Sequence, residues 1–139
     1  RIPYIINTSR GEVVDNLALW SALQDGRVRD AVIDVWEGEP RLYLPLLNRV
    51  FIGTPHIAGY SADGKANADN MVIDALCHHF GLPHPGKVTP PKLPVTFPYT
   101  GDPLELYNPL TDSLALKSNP SDFESLRNHY PLRREHFDV

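Results

Sequence analysis

Ala31-Val32-Ile33-Asp34-Val35 is a continuous apolar run broken by a single acid. A strand buried on both faces reads this way, and an acid at its carboxyl end marks a group delivered to a site. Tyr4 to Asn7 before it and Val50-Phe51-Ile52-Gly53 after it are two more short strand-like runs. Between the first two, Asp15 can cap a helix reaching Gln24, with Leu19, Trp20 and Leu23 on one face and Gly26 as its stop. Strand, helix, strand, strand at short spacing predicts part of a parallel α/β sheet.

Three polar segments each follow one of these strands directly. They are Asn7-Thr8-Ser9-Arg10-Gly11, Asp34-Val35-Trp36-Glu37-Gly38-Glu39-Pro40 and Thr54-Pro55-His56-Ile57-Ala58-Gly59-Tyr60. In open α/β sheets ligands bind beyond the carboxyl ends of strands. The segments supply a guanidinium, a carboxylate and an imidazole, the set needed to hold an anionic 2-hydroxy acid and move its hydroxyl proton. Arg10 can hold a carboxylate through two parallel hydrogen bonds, and Gly11 lets the backbone approach closely. The plain alternative is a surface arginine in a turn. His56 can exchange a proton near neutral pH. Taken alone it would be a structural histidine, but Glu39 supplies a carboxylate partner, which is ranked above Glu37. Asp34 in an apolar strand must be satisfied. It can meet an amide group of a cofactor or a neighbouring loop N–H, and the strand-end position favours the cofactor.

The 139 residues allow one ordinary domain or two small ones, and the formal net charge is −4. That charge, with no basic stripe interleaved with aromatics, argues against nucleic acid. No apolar run approaches the roughly 20 residues of a membrane span. No signal peptide is visible, and the single cysteine, Cys77, excludes an internal disulfide and fits a reducing, cytoplasmic setting. Arg1-Ile2-Pro3-Tyr4-Ile5-Ile6-Asn7 opens as a strand already within a fold, and no glycines are spaced G-x-G-x-x-G. The chain is therefore expected to be a piece of a longer protein.

Ser61 to Phe80 predicts a helix with Ala68, Val72, Ala75, Leu76 and His79 along one stripe. From Leu82 to Pro103 seven prolines forbid regular helix, so this is a linker or an extended wrap with an edge strand around Pro94-Val95-Thr96-Phe97. Asn119-Pro120 starts another helix, with Phe123, Leu126 and Tyr130 as its apolar stripe and Pro131 as its end. Residues 95–139 carry few apolar groups, which favours docking onto a partner subunit. His78, His79 and His84 are not expected to bind metal, because adjacent helical positions point about 100° apart. Cys77 reads as packed rather than reactive. Lys65, after Gly64, reads either as a neighbour of an anion or as exposed.

The three segments resemble those of the D-isomer-specific 2-hydroxyacid dehydrogenases. The likeness is most specific in Ile52 to Ser61 with Gly64-Lys65 after it, and in Trp36-Glu37-Gly38-Glu39-Pro40. A second likeness, in Phe123-Glu124-Ser125-Leu126-Arg127, Tyr130 and Arg133-Arg134-Glu135, is to a C-terminal dimerisation domain carried by one branch of the family. The resemblance implies the C-terminal part of a Rossmann-like NAD-binding domain, followed by a small α+β dimerisation domain. The implied division is 1–60 with the catalytic loops, 61–82 as a helix returning toward a substrate domain, 83–94 as linker, and 95–139 for dimerisation. It also implies that Arg10, Glu39 and His56 are catalytic, that Thr8, Ser9, Arg10, Asp34 and Gly59 lie at NAD, and that Arg10 and Tyr60 touch substrate. The substrate would be a small phosphorylated 2-hydroxy acid and the assembly a homodimer. Arg133 or Arg134 could reach the neighbouring subunit's substrate phosphate, with a solvated basic turn as the alternative. Two rival readings stay open here: another 2-hydroxyacid dehydrogenase acting on phosphoglycerate or on glyoxylate and hydroxypyruvate, and a non-catalytic NAD-binding dimerisation module.

Overall fold

The computed structural model describes residues 2–92 and 108–135, in two compact units. The first unit is Arg1–Ala58 with Asn108–Tyr130, and the second is Gly59–Tyr107 with Pro131–Val139.

In the first unit three parallel strands lie in the order β1 (Ile2–Asn7), β2 (Val28–Ile33), β3 (Ile52–Gly53). Asn7 pairs with Ile33 and Ile33 with Gly53, so all three strands end level at one edge. The expected α/β sheet is present, and β2 is shifted toward the N-terminus relative to the predicted run. Asp34 lies just past its end, where its N–H still bonds the carbonyl of Asn7 at 3.0 Å.

Helix α1 spans Asn16–Gln24 as predicted, with Asp15 accepting from the Ala18 N–H at 2.8 Å and Gly26 at φ 71° just beyond the end. Leu19 and Leu23 are buried, and Trp20 packs edge-on against Tyr43. A short helix, α2 (Leu44–Arg49), is not anticipated by the sequence reading. It carries Pro45 in its first turn and no side-chain cap, so its signature is weak, yet Leu46 and Leu47 are fully buried.

Two more helices complete this unit. Helix α4 (Pro109–Ser118) is capped by Asn108, whose side chain accepts from the Leu110 N–H at 3.0 Å, and a 3₁₀ turn over Pro120–Asp122 leads into α5 (Phe123–Asn128). The predicted start at Asn119-Pro120 therefore falls on that 3₁₀ turn, and Asn119 makes no side-chain cap bond there. Leu116 and Phe123 enter the same core as Trp36, Leu46 and Leu47, with Leu126 packed against it. The Gly53 N–H donates to Ser113 Oγ at 2.9 Å, and Lys117 Nζ donates to the Val50 carbonyl at 2.6 Å. Burial pushes the Lys117 ammonium below the usual lysine range. The sequence reading set 95–139 apart as one domain; instead, 108–130 share a core with the sheet. The few apolar groups of this stretch suffice because they cover an existing surface, each fully buried side chain contributing roughly 1.5–3 kcal/mol.

In the second unit, α3 (Ala62–Phe80) starts at Ser61, which accepts from the Gly64 N–H at 2.9 Å, and ends on Gly81 at φ 64°. The helix is as predicted, but its expected apolar stripe is not buried. Val72 and Leu76 are exposed, and Ala62 and Ala66 are the buried positions. Residues 81–92 are without regular structure, as their prolines require, and follow α3 through a reciprocal pair between Asn70 and Val88. The predicted edge strand at 94–97 lies outside the described residues. Cys77 is half-buried, with Sγ 3.8 Å from the Pro83 carbonyl.

The Arg133-Arg134-Glu135 segment grips the start of α3. The Ala62 N–H donates to the Arg133 carbonyl at 2.9 Å, Glu135 N–H donates to Asp63 at 2.8 Å, and Ser61 Oγ donates to the Glu135 carboxylate. Arg134 holds Asp63 through two bonds of 2.9 Å and donates to the Pro91 carbonyl at 3.1 Å. Arg134 is thus engaged within its own chain, which corrects the suggestion that it faces a neighbouring subunit's phosphate. The Arg134 hydrogen bonds hold the Asp63 carboxyl below its usual 3.8, at about 2. A depressed carboxyl pKa stabilises the fold above pH 3.8, and that contribution is lost as pH falls through about 2. Comparing thermal melts of Asp63→Asn with the parent should show a deficit that is constant above pH 4 and closes toward pH 2. A deficit that persists unchanged at the acid end would exclude this role.

Candidate active site

The three polar segments leave the level ends of three adjacent parallel strands, so topology alone brings them to one edge of the sheet. Asn7, buried at the end of β1, shapes the first. Its Nδ2 donates to the Arg10 carbonyl at 3.0 Å, and its Oδ1 accepts from Ser9 N–H at 3.2 Å and Ser9 Oγ at 3.0 Å. Thr8, Ser9 and Arg10 are exposed, and Arg10 Nη1 rests on the Ser9 carbonyl at 2.7 Å. Gly11 is obligatory here. A Cβ at this position would lie 2.1 Å from the Trp36 carbonyl oxygen, so only glycine lets the first loop touch the second.

In the second segment Glu39 precedes Pro40 through a cis peptide bond, and its Oε1 accepts from the Trp36 N–H at 2.7 Å. Its Oε2 lies 2.8 Å from His56 Nδ1. The expected pairing of positions 39 and 56 is present, with both side chains mostly shielded from solvent. Glu37 is occupied elsewhere, accepting from the Asn16 N–H at the start of α1. Its preference follows from charge, since a carboxylate suits the exposed N–H groups of a helix start.

His56 sits at φ 57°, in the left-handed region that histidine enters more readily than most residues. The surrounding bonds hold it there. Its N–H donates to the Asp34 carbonyl at 2.8 Å. The buried Asp34 carboxylate accepts from Thr54 Oγ1 at 2.6 Å, Ile57 N–H at 2.8 Å and Ala58 N–H at 3.0 Å. The structural alternative weighed for Asp34 is therefore realised: it bonds loop N–H groups and fixes the turn that carries His56. Gly59 and Tyr60 belong to the second unit, where Lys65 Nζ lies 4.5 Å from the centre of the Tyr60 ring.

The sequence reading missed the residues that hold the loops. Asn7, Trp36 and Thr54 were quoted within the segments but given no task, although each is a buried residue whose polar atoms serve a loop. The available signal was their placement, directly beside the functional groups at strand ends.

Chemically, a carboxylate on Nδ1 makes that nitrogen the hydrogen carrier and leaves the Nε2 lone pair as the acceptor. Such an imidazole, at the carboxyl edge of a parallel α/β sheet and on the same edge as a guanidinium loop, is suited to proton exchange with a bound anion.

Residues 3–58 match the family described as D-isomer specific 2-hydroxyacid dehydrogenase, NAD binding domain. NAD is the cofactor this domain implies. The chain is also similar to whole enzymes. It is 56% identical over 135 residues to an erythronate-4-phosphate dehydrogenase of Bacteroides fragilis, covering 94% of this chain and 39% of that protein. The corresponding protein of Bacteroides thetaiotaomicron is 52% identical over 139 residues, covering 97% of this chain and 40% of that protein. One from Marinobacter nauticus is 40% identical over 152 residues, covering 94% and 40%. The chain thus spans about two fifths of the length of these curated relatives. Among the described residues, no helix is long and apolar enough to cross a membrane.

Proposed function

We propose that the protein carrying this chain is an NAD-dependent dehydrogenase that oxidises 4-phospho-D-erythronate to 2-oxo-3-hydroxy-4-phosphobutanoate, a step of vitamin B6 synthesis. The observation that carries the reading is the 2.8 Å contact between His56 and Glu39, held on a loop that directly follows a parallel strand. The relatives' names supply the substrate.

In this reading Arg10 grips the substrate carboxylate and so presents C2 in one orientation. His56 takes the C2 hydroxyl proton at Nε2. Glu39 stabilises the imidazolium through Nδ1 and keeps the ring from turning. When bound, NAD would supply the acceptor for the C2 hydride. The family likeness assigns Thr8, Ser9 and Arg10 to NAD, and all three residues are exposed. Asp34 is assigned to NAD on the same likeness; its buried carboxylate already accepts three bonds from the His56 loop. Gly59 is assigned to NAD and Tyr60 to substrate on the family likeness. The same likeness supports a homodimer in the cytoplasm, with the C-terminal segment at the interface.

The test is NADH formation by the full-length protein on a substrate panel. Turnover is expected with 4-phospho-D-erythronate and far less with D-erythronate, 3-phosphoglycerate or glycerate. Faster turnover of 3-phosphoglycerate or glycerate would reassign the substrate, and no NAD-linked turnover on any of them would remove the enzymatic reading.

A further inference from the structure

We propose that Trp36 is a positioning residue that sets the distance between Glu39 and His56 by joining all three loops at one buried point. The proposal rests on the dehydrogenase reading of the site for its catalytic consequence, though not for its geometry.

Each loop leaves a different strand. The strand register aligns their starting points, but the register does not dictate how closely the loops approach further out. Trp36 does so from a position only 1% exposed. Its backbone N–H donates to Glu39 Oε1, leaving Oε2 turned to His56. Its carbonyl oxygen occupies the space above Gly11 that any side chain would need, so the Arg10 loop rests on it. Its indole Nε1–H donates at 2.9 Å to the carbonyl of Thr54, two residues before His56. The ring edge fills the place where a Cβ on Gly53 would go, at 2.9 Å.

The indole bond is the part that side-chain chemistry makes specific. An apolar core has few acceptors, and a buried N–H without one is costly. The loop bearing Thr54 and His56 is therefore held against the loop bearing Glu39, because separating them would strand the indole donor. Phenylalanine or leucine would keep the site apolar but is smaller than the indole and supplies no such tie. Backbone N–H and indole N–H together let one residue orient the carboxylate and locate the imidazole.

The test uses the full-length protein with β-(3-benzothienyl)alanine at position 36, which keeps the bicyclic shape and lacks the N–H, alongside Trp36→Phe. Two signals are read. The first is exchange of the His56 Nδ1–H proton, followed by nuclear magnetic resonance. The second is the split between kcat and the KM for NAD. The expected result is faster exchange, with kcat lowered roughly tenfold and the KM for NAD within about twofold, since small displacements at a reacting centre act on kcat. Leu23→Val, a core change on α1 away from the loops, serves as the stability control and should leave both signals unaltered. A His56 proton as protected as in the parent would overturn the proposal whatever the turnover. Faster exchange with unchanged kcat would uphold the positioning and overturn the catalytic reading of the pair.

Discussion

Replacing His56 with alanine is expected to lower NAD-linked turnover by roughly 10²–10⁴-fold, the range for loss of a positioned general base or acid. NAD affinity should change little, because in the proposed reaction the imidazole acts on the substrate hydroxyl. Alanine also tolerates the φ of 57° at this position less well than histidine, so the loop could shift for a backbone reason. His56→Asn separates the two causes. Asparagine enters the left-handed region readily and cannot take up the proton. Equal losses in both variants identify proton exchange as the cause. Restored turnover in His56→Asn would show that only the turn matters and would remove His56 from the chemistry.

The second large effect concerns stability. Phe123→Ala should destabilise the first unit by roughly 3–5 kcal/mol, the cost of emptying a buried aromatic site. Phe123 is 1% exposed and packs in the core that also holds Trp36 and the α2 leucines. Leu114→Ala on α4 is the comparison, since that side chain is 66% exposed and its loss should cost less than about 0.5 kcal/mol. Urea unfolding of the intact protein, followed at Trp36, would measure both. Equal, small effects would mean that 108–130 are not part of the sheet's core and would restore the division at the proline-rich stretch.

How much was legible follows the range of each interaction. Helix α1 could be read to the residue, because Asp15 and Gly26 are local signals acting within one turn. The α3 boundaries were read equally well, from Ser61 and the residues after it. Helix α4 is not anticipated by the sequence reading, although Asn108-Pro109 repeats the Asn-Pro signal at 119–120. The stripe on α3 failed for a different reason. Periodicity shows that a face is apolar, but burial needs a partner, and Val72 and Leu76 remain exposed. Arg134 shows the converse: a charge expected at a surface is nearly buried because Asp63, 71 positions away in the chain, accepts two of its bonds.

By itself the sequence determined the kinds of groups available and the order of the elements that carry them. A guanidinium, a carboxylate and an imidazole each follow a strand, and that arrangement is local. Only the tertiary structure decided which atoms meet. It took Glu37 to the start of α1, and gave Asp34 to the backbone of the His56 loop. It also made Trp36 and Gly11 the contact between loops. Hydrogen bonds act over about 3 Å, and chain spacing along a loop cannot specify such a distance between segments that leave three different strands.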